Sequence, residues 1–206
     1  MKIFENVHLV DGTMANVYLV LHEGKVVLID AGLPGEHEKV LKYLRELGFA
    51  PEDVDLIIAT HGHPDHVGSL KVLKELTCAK VAAHREEIPY ITGEKWNTEP
   101  VEVDIPLEDG DEIANLKVVH SPGHTPGSIV LYSKELRAIF TGDLVHEEDG
   151  RLYEIPHRYS LDPMKNREAI RNILRLDFEH VLPSHGKPIL NEGKERWREL
   201  VEELGE

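Results

Sequence analysis

The chain has 206 residues, with 23 Lys and Arg against 38 Asp and Glu, a formal charge of −15. One domain over 1–206 is the expectation at this length, enough to remove roughly 70% of the unfolded surface from water. Charge of this sign argues against nucleic acid as a partner, because phosphate binding depends on cationic side chains releasing counterions, and no apolar run approaches the ~20 residues of a membrane span.

Met1 to Val10 carry Glu5, Asn6 and His8 where a signal peptide needs an unbroken apolar stretch, so a cytoplasmic location is expected. Asn16–Leu21 and Lys25–Ile29 read as a hairpin turned at Glu23-Gly24. A helix follows over Glu36–Leu47, with Val40, Leu41, Leu44 and Leu47 on one stripe and Gly48 as its stop. Asp55–Thr60 is a short β-branched strand, followed by a helix around Val67–Leu76 and a strand at Lys80–Ala83. Further strands are expected at Val101–Ile105, Leu116–His120, Ser128–Tyr132, Ala138–Phe140 and His180–Leu182, with helices over Pro163–Leu174 and Glu192–Leu204. Strands and helices mixed at this density predict an α/β layered domain.

Composition adds three expectations. Cys78 stands alone, which removes a disulfide framework and a cysteine-built zinc site and leaves a small buried hydrophobe as its expected role. Glutamine is absent while 30% of residues are charged, a balance that fits a heat-adapted, thermophilic source. Thirteen histidines are many for this length, and their spacing decides what they mean.

The spacing is informative at His61-Gly62-His63-Pro64-Asp65-His66. His61 and His63 project to one side of an extended segment, Asp65 continues that direction if the chain stays extended, and the turn after Pro64 brings His66 round. Four ligand-type side chains in six positions would repel one another or waste solvation unless something binds them, and imidazole with carboxylate suits zinc, iron or manganese. At this His and Asp content, H-x-H-x-D-H arises by chance about 0.003 times. His124 sits among prolines and glycines in Ser121–Ser128, Asp143 follows a strand in Thr141-Gly142-Asp143, and His185 follows another in Pro183-Ser184-His185-Gly186. Each lies just past a strand end, where open sheets place their ligands. Seven ligands are too many for one four-coordinate metal and match two.

On His61, His63, Asp65, His66, His124, Asp143 and His185, with Asp30 in Leu28-Ile29-Asp30-Ala31-Gly32, the chain resembles the metallo-β-lactamase superfamily over essentially its whole length. The G-H-T-P-G-S wording around His124 is most similar to the glyoxalase II and lactonase branch. The resemblance implies an αββα four-layer sandwich of two mixed β-sheets flanked by helices, with two divalent ions, zinc first and iron or manganese open. It places His61, His63 and His124 on one ion, Asp65, His66 and His185 on the other, and Asp143 between them. Asp30 stands behind the ligands and orients their loop by hydrogen bonding. Ions roughly 3.5–4 Å apart share a hydroxide formed near neutral pH. The reaction expected on this resemblance is attack by such a hydroxide on a small ester, thioester or lactone, with Asp65 as the catalytic residue that would pass the proton on. The alternatives are a phosphodiesterase on the same two ions, a mononuclear iron persulfide dioxygenase, and a metal-stabilised binding domain.

The chain also departs from its resemblances. Only about 20 residues follow His185, short of the C-terminal helices with which glyoxalase II enzymes bind glutathione. His146 stands three residues after Asp143, where similar lactonases carry a tyrosine. The flavodiiron branch has a glutamate at the position of His63, the tRNA-processing branch a basic arm, and the β-lactamases a secretory signal. Two segments are candidate lids over a small-molecule substrate: Glu87–Glu99, with Tyr90 and Trp96, and Leu144–Leu161, with His146, Arg151, Tyr153, His157, Arg158 and Tyr159. Aromatics with cations there suit a small carboxylate or phosphate-bearing substrate. A homodimer stays open, with no seam in the periodicity, and neither nucleic acid nor membrane is expected as a partner.

Overall fold

The computed structural model describes residues 1–96 and 99–205. The chain divides into two compact units, Met1–Leu107 and Glu108–Glu206.

The first unit is built on a six-stranded sheet in the order β1 to β6. β1 (Val7–Leu9), β2 (Tyr18–His22) and β3 (Lys25–Ile29) form an antiparallel meander. Glu23 and Gly24 take φ of 50° and 79°, the left-handed pair that a two-residue hairpin turn requires. α1 (His37–Glu46) buries Val40 and Leu44 and stops before Gly48, where φ is +84°. β4 (Val54–Ile58) then joins β3 in parallel, the first of the crossovers that make the rest of this sheet parallel.

The apolar pattern over Val67–Leu76 resolves into two helices, α2 (Pro64–Val67) and α3 (Leu70–Thr77). The break serves a close approach: a Cβ on Gly68 would lie 2.3 Å from Pro34 Cδ, and the Ser69 hydroxyl donates to Leu33 O at 2.5 Å. α3 ends on Cys78, which adopts φ 58° and is exposed, so the expectation of a buried thiol is corrected. β5 (Lys80–His84), α4 (Ile88–Ile91) and β6 (Ile105–Leu107) complete the unit. The expected strand at Val101–Ile105 is paired only from Ile105 onward. Val101 and Val103 pack onto the core without a ladder, while the Asp104 carboxylate accepts the Val81 N–H at 2.8 Å. Their alternation reports burial, not pairing.

The second unit holds a five-stranded sheet. β7 (Glu112–Ile113), β8 (Leu116–His120), β9 (Ile129–Ser133) and β10 (Ala138–Phe140) run antiparallel, in sequence order. β11 (Val145–Glu148) and β12 (Arg151–Glu154) form a separate hairpin where a lid loop was expected, turning at Asp149-Gly150 with φ of 51° and 79°. α5 (Pro163–Ile173) begins on Asp162, whose side chain accepts the Lys165 N–H. β13 (His180–Leu182) pairs with β10 in parallel, and α6 (Gly193–Glu203) follows. Its core gathers Ile139, Ile170, Phe178, Val181 and Trp197, with the Trp197 indole donating to Ile170 O at 2.8 Å. Mixed sheets with helices place the chain in the α/β class, as expected. Among the described residues no helix is long and apolar enough to cross a membrane.

Candidate metal centre

In the first unit, the ligand-type residues follow β4. The chain is still extended at His63 (φ −67°, ψ 149°), but Pro64 opens α2 at its first position. Asp65 therefore lies in a helical turn, not along the extended direction of His61 and His63. The rings nevertheless gather, with His61 centred 4.9 Å from His63 and 4.0 Å from His66, and His61 and His66 fully buried.

Asp30 organises this cluster. It follows β3 in the left-handed region, φ 62°, and is buried. Its carboxylate accepts the Thr60 N–H at 2.8 Å and the Thr60 hydroxyl at 2.8 Å, and Oδ2 lies 2.8 Å from His66 Nδ1. Because the Thr60 hydroxyl proton goes to Asp30, its oxygen accepts from His61 Nδ1, 3.1 Å away. The network thus assigns the proton to Nδ1 of both His61 and His66, and leaves the lone pair of each on Nε2, the form in which imidazole binds metal. His66 Nε2 lies 3.6 Å from Asp65 Oδ2.

The segment after β5 leans on the same loop. Glu87 is fully buried and accepts the Gly62 N–H at 2.7 Å. Trp96 stacks on His63 with ring centres 4.5 Å apart and planes 9° apart, and Tyr90 meets Trp96 edge-on at 4.7 Å. Residues 97 and 98 of this candidate lid lie outside the described residues.

In the second unit, three loops carry His124, Asp143 and His185. The His124 loop is closed by the Ser121 N–H donating to Ser128 O and the Thr125 N–H donating to Ser128 Oγ. Gly123 has φ +140°, and a Cβ there would fall 2.1 Å from the Asn166 backbone nitrogen. Asn166, buried in α5, also donates from Nδ2 to Leu144 O beside Asp143, so one residue braces two of the loops. The His185 loop is held by the Glu147 N–H, which donates to His185 O at 2.9 Å.

Asp143 divides its two oxygens between two imidazoles: Oδ2 is 3.5 Å from His124 Nε2 and Oδ1 is 3.4 Å from His185 Nε2. Both separations exceed a normal charge-assisted hydrogen bond. Two ligand atoms each ~2.0–2.2 Å from one tetrahedral ion stand roughly 3.3–3.6 Å apart, which these distances match. The donor set fits divalent metal.

The expected substrate contacts divide. His146 is half-buried in β11 and stacks on Tyr153 at 5.5 Å, and burial pulls its pKa below the ordinary value. Arg151 pairs with Glu203 of α6, so its charge is already answered within the protein. Arg158 lies over the Tyr159 ring at 4.6 Å, beside exposed Tyr159, Leu161 and Met164. Leu161 and Asp162 donate their N–H groups to His124 O and Gly123 O, which ties that strap to the His124 loop.

Residues 10–185 match the metallo-beta-lactamase superfamily. The chain belongs to that superfamily. It is 30% identical over 193 residues to the beta-lactamase-like protein 2 homolog of Caenorhabditis elegans, covering 91% of this chain and 60% of that one. It is 31% identical over 206 residues to an acyl-coenzyme A thioesterase of Gallus gallus, covering 84% and 73%. Among solved structures, TTHA1623 in a di-iron-bound form superposes with a TM-score of 0.72 at 31% identity, over 90% of this chain and 94% of that one. The chain thus spans about three fifths of the length of the Caenorhabditis relative. The fold is the metallo-β-lactamase fold, and the superfamily is hydrolytic.

For this superfamily member, sequence reasoning passed over Thr60, Glu87 and Asn166. Thr60 adjoins His61 and carried a usable signal, a hydroxyl next to a candidate ligand. Glu87 sits in Arg85-Glu86-Glu87, which reads as a solvated charge run, and Asn166 reads as the polar face of a helix. Neither shows its burial locally.

Proposed function

We propose that this chain is a metal-dependent hydrolase of a small ester, thioester or lactone that holds two divalent ions, zinc in preference to iron or manganese. Ligand-type side chains gathered within each unit support it: His61, His63, Asp65 and His66 in the first, and His124, Asp143 and His185 in the second. The observation that carries the reading is the Asp143 carboxylate, which turns one oxygen to His124 and the other to His185. Bound divalent ions would supply a hydroxide near neutral pH and a Lewis-acid contact for the carbonyl oxygen.

The chain's own residues do the rest. Asp30 and Thr60 keep the ligand imidazoles in the metal-binding tautomer. Asp65, whose side chain is 26% exposed beside His66, takes the proton released on attack and passes it to solvent. Tyr159 and Leu161, exposed on the strap tied to the His124 loop, and Met164, exposed in the first turn of α5, offer apolar contact to an acyl group, with Arg158 beside them for an anionic one. The thioesterase relative and the glyoxalase II-like wording around His124 favour a thioester.

The test is metal analysis of protein purified without added metal, run beside assays on a thioester, a lactone, a phosphodiester and a persulfide. Two ions per chain, best turnover on the thioester or lactone, and activity lost to a chelator and restored by zinc are expected. One iron with oxygen uptake on the persulfide, or a preference for the phosphodiester, overturns it.

A further inference from the structure

We infer that Glu87–Trp96 is a positioning clamp on the His61-Gly62-His63 tripeptide, with Glu87 fixing the Gly62 peptide and Trp96 fixing the plane of the His63 ring. The inference rests on the reading that His61 and His63 hold an ion.

A carboxylate with no exposure is costly to bury unless its oxygens are paired or hydrogen-bonded. Glu87 accepts the Gly62 N–H at 2.7 Å, a charge-assisted length. That amide lies between the two histidines, so the orientation of its peptide plane sets how far apart their side chains emerge. Gly62 has little freedom to drift: a Cβ would lie 3.0 Å from Tyr90 Cβ and 3.2 Å from Glu87 Oε1. The clamp therefore closes on the loop from its backbone side.

Each of the three loop histidines has its own orienting contact. His61 has Thr60 and His66 has Asp30, both through Nδ1. His63 has Trp96, whose plane is 9° from the imidazole at 4.5 Å, with Tyr90 edge-on behind it. Near-parallel rings at this separation stop the imidazole rotating about its terminal torsion, which is otherwise broad. A segment with two such holds on a ligand loop would carry that loop along if it moved. It acts as a brace, not as a free lid.

The experiment is a zinc titration of the metal-free chain against a chromophoric chelator, for wild type, E87Q, E87A, G62A and W96F, with melting of each metal-free protein alongside. Loss of a contact that orients a ligand costs 10–100-fold in metal affinity. E87A and G62A are expected to weaken zinc at least tenfold, while E87Q, which keeps an acceptor for the Gly62 N–H, stays within about threefold of wild type. The chain has two tryptophans, and Trp197 is buried in the second unit's core. Zinc is therefore expected to change the emission of Trp96, and W96F to abolish that change.

Wild-type affinity in E87A and G62A together with a lower melting temperature would mean a purely structural role and overturn the clamp. If E87A does not fold, unchanged affinity in G62A overturns it alone. A zinc-dependent emission change that survives in W96F removes the Trp96 half. A wild-type chain that binds neither zinc, iron nor manganese instead overturns the metal reading itself, which separates the two failures.

Discussion

Asp30 Oδ2 lies 2.8 Å from His66 Nδ1, and neither side chain is reached by solvent to any extent, at 1% and 0% exposure. The same carboxylate takes the Thr60 N–H and hydroxyl, so one residue fixes the loop backbone and the tautomer of two imidazoles. In Asp30→Asn, the φ of 62° remains accessible, since asparagine tolerates the left-handed region, but the negative acceptor facing His66 is lost. Metal affinity at the ion held by His66 is expected to fall 10–100-fold while the fold is retained. Isothermal titration with zinc beside circular dichroism checks it. Unchanged affinity would show that His66 orients without Asp30.

The division of Asp143 between His124 and His185 leads to a sharper expectation. Each oxygen faces a different histidine at 3.4–3.5 Å, so removing the side chain takes a ligand from both proposed ions at once. Asp143→Ala is therefore expected to carry less than one metal per chain, where His185→Ala keeps one. Elemental analysis of both variants, purified in parallel, distinguishes a shared ligand from a private one. Equal loss in the two would argue against sharing.

How much of this was legible in the sequence follows from the range of the interactions. The His61–His66 run is a local pattern, so its spacing alone pointed to metal, and the glycine turns at Gly24 and Gly48 were legible because left-handed φ needs particular residues. The direction of Asp65 was not, because Pro64 both ends the extended segment and starts a helix, and only the fold selects between these. The Arg, His and Tyr content of Leu144–Leu161 marks a candidate lid but hides the β11–β12 pairing inside it. Val145 and Leu152, buried against the second unit's core, decide for pairing. Glu87 is 25 residues from Gly62 in sequence, and nothing local marks a glutamate that will be buried.

Gly123 offers a test of how closely the His124 loop is packed. Its φ of +140° is strained for any side chain, and a Cβ would fall 2.1 Å from the Asn166 nitrogen and 2.5 Å from its Cα, both backbone atoms at the start of α5 that cannot give way cheaply. Gly123→Ala is expected to destabilise by at least about 2 kcal/mol, from backbone strain and from the displacement of α5. Urea denaturation of the metal-free proteins measures it without reference to metal binding. A cost below about 0.5 kcal/mol would mean that the loop relaxes freely.

Glu154 gives the pH dependence a definite sign. Arg167 binds it through two nitrogens, at 2.9 and 2.6 Å, tying α5 to β12. The Arg167 guanidinium holds the Glu154 carboxyl below its ordinary 4.5, and burial opposes this without reversing it. A carboxylate with a folded pKa below its unfolded one contributes stability that is complete above the unfolded value and disappears as pH falls through the folded one. The pair is partly exposed, 17% and 26%, so solvent screening limits the contribution to about 1 kcal/mol. Glu154→Gln is therefore expected to be less stable than wild type by about that amount at pH 7, with the gap closing as pH drops below 4.5. Urea midpoints for both proteins at pH 7, 5, 4 and 3 check it. A gap that widens toward acid would mean that the pair favours the protonated acid and that Arg167 is not its main partner.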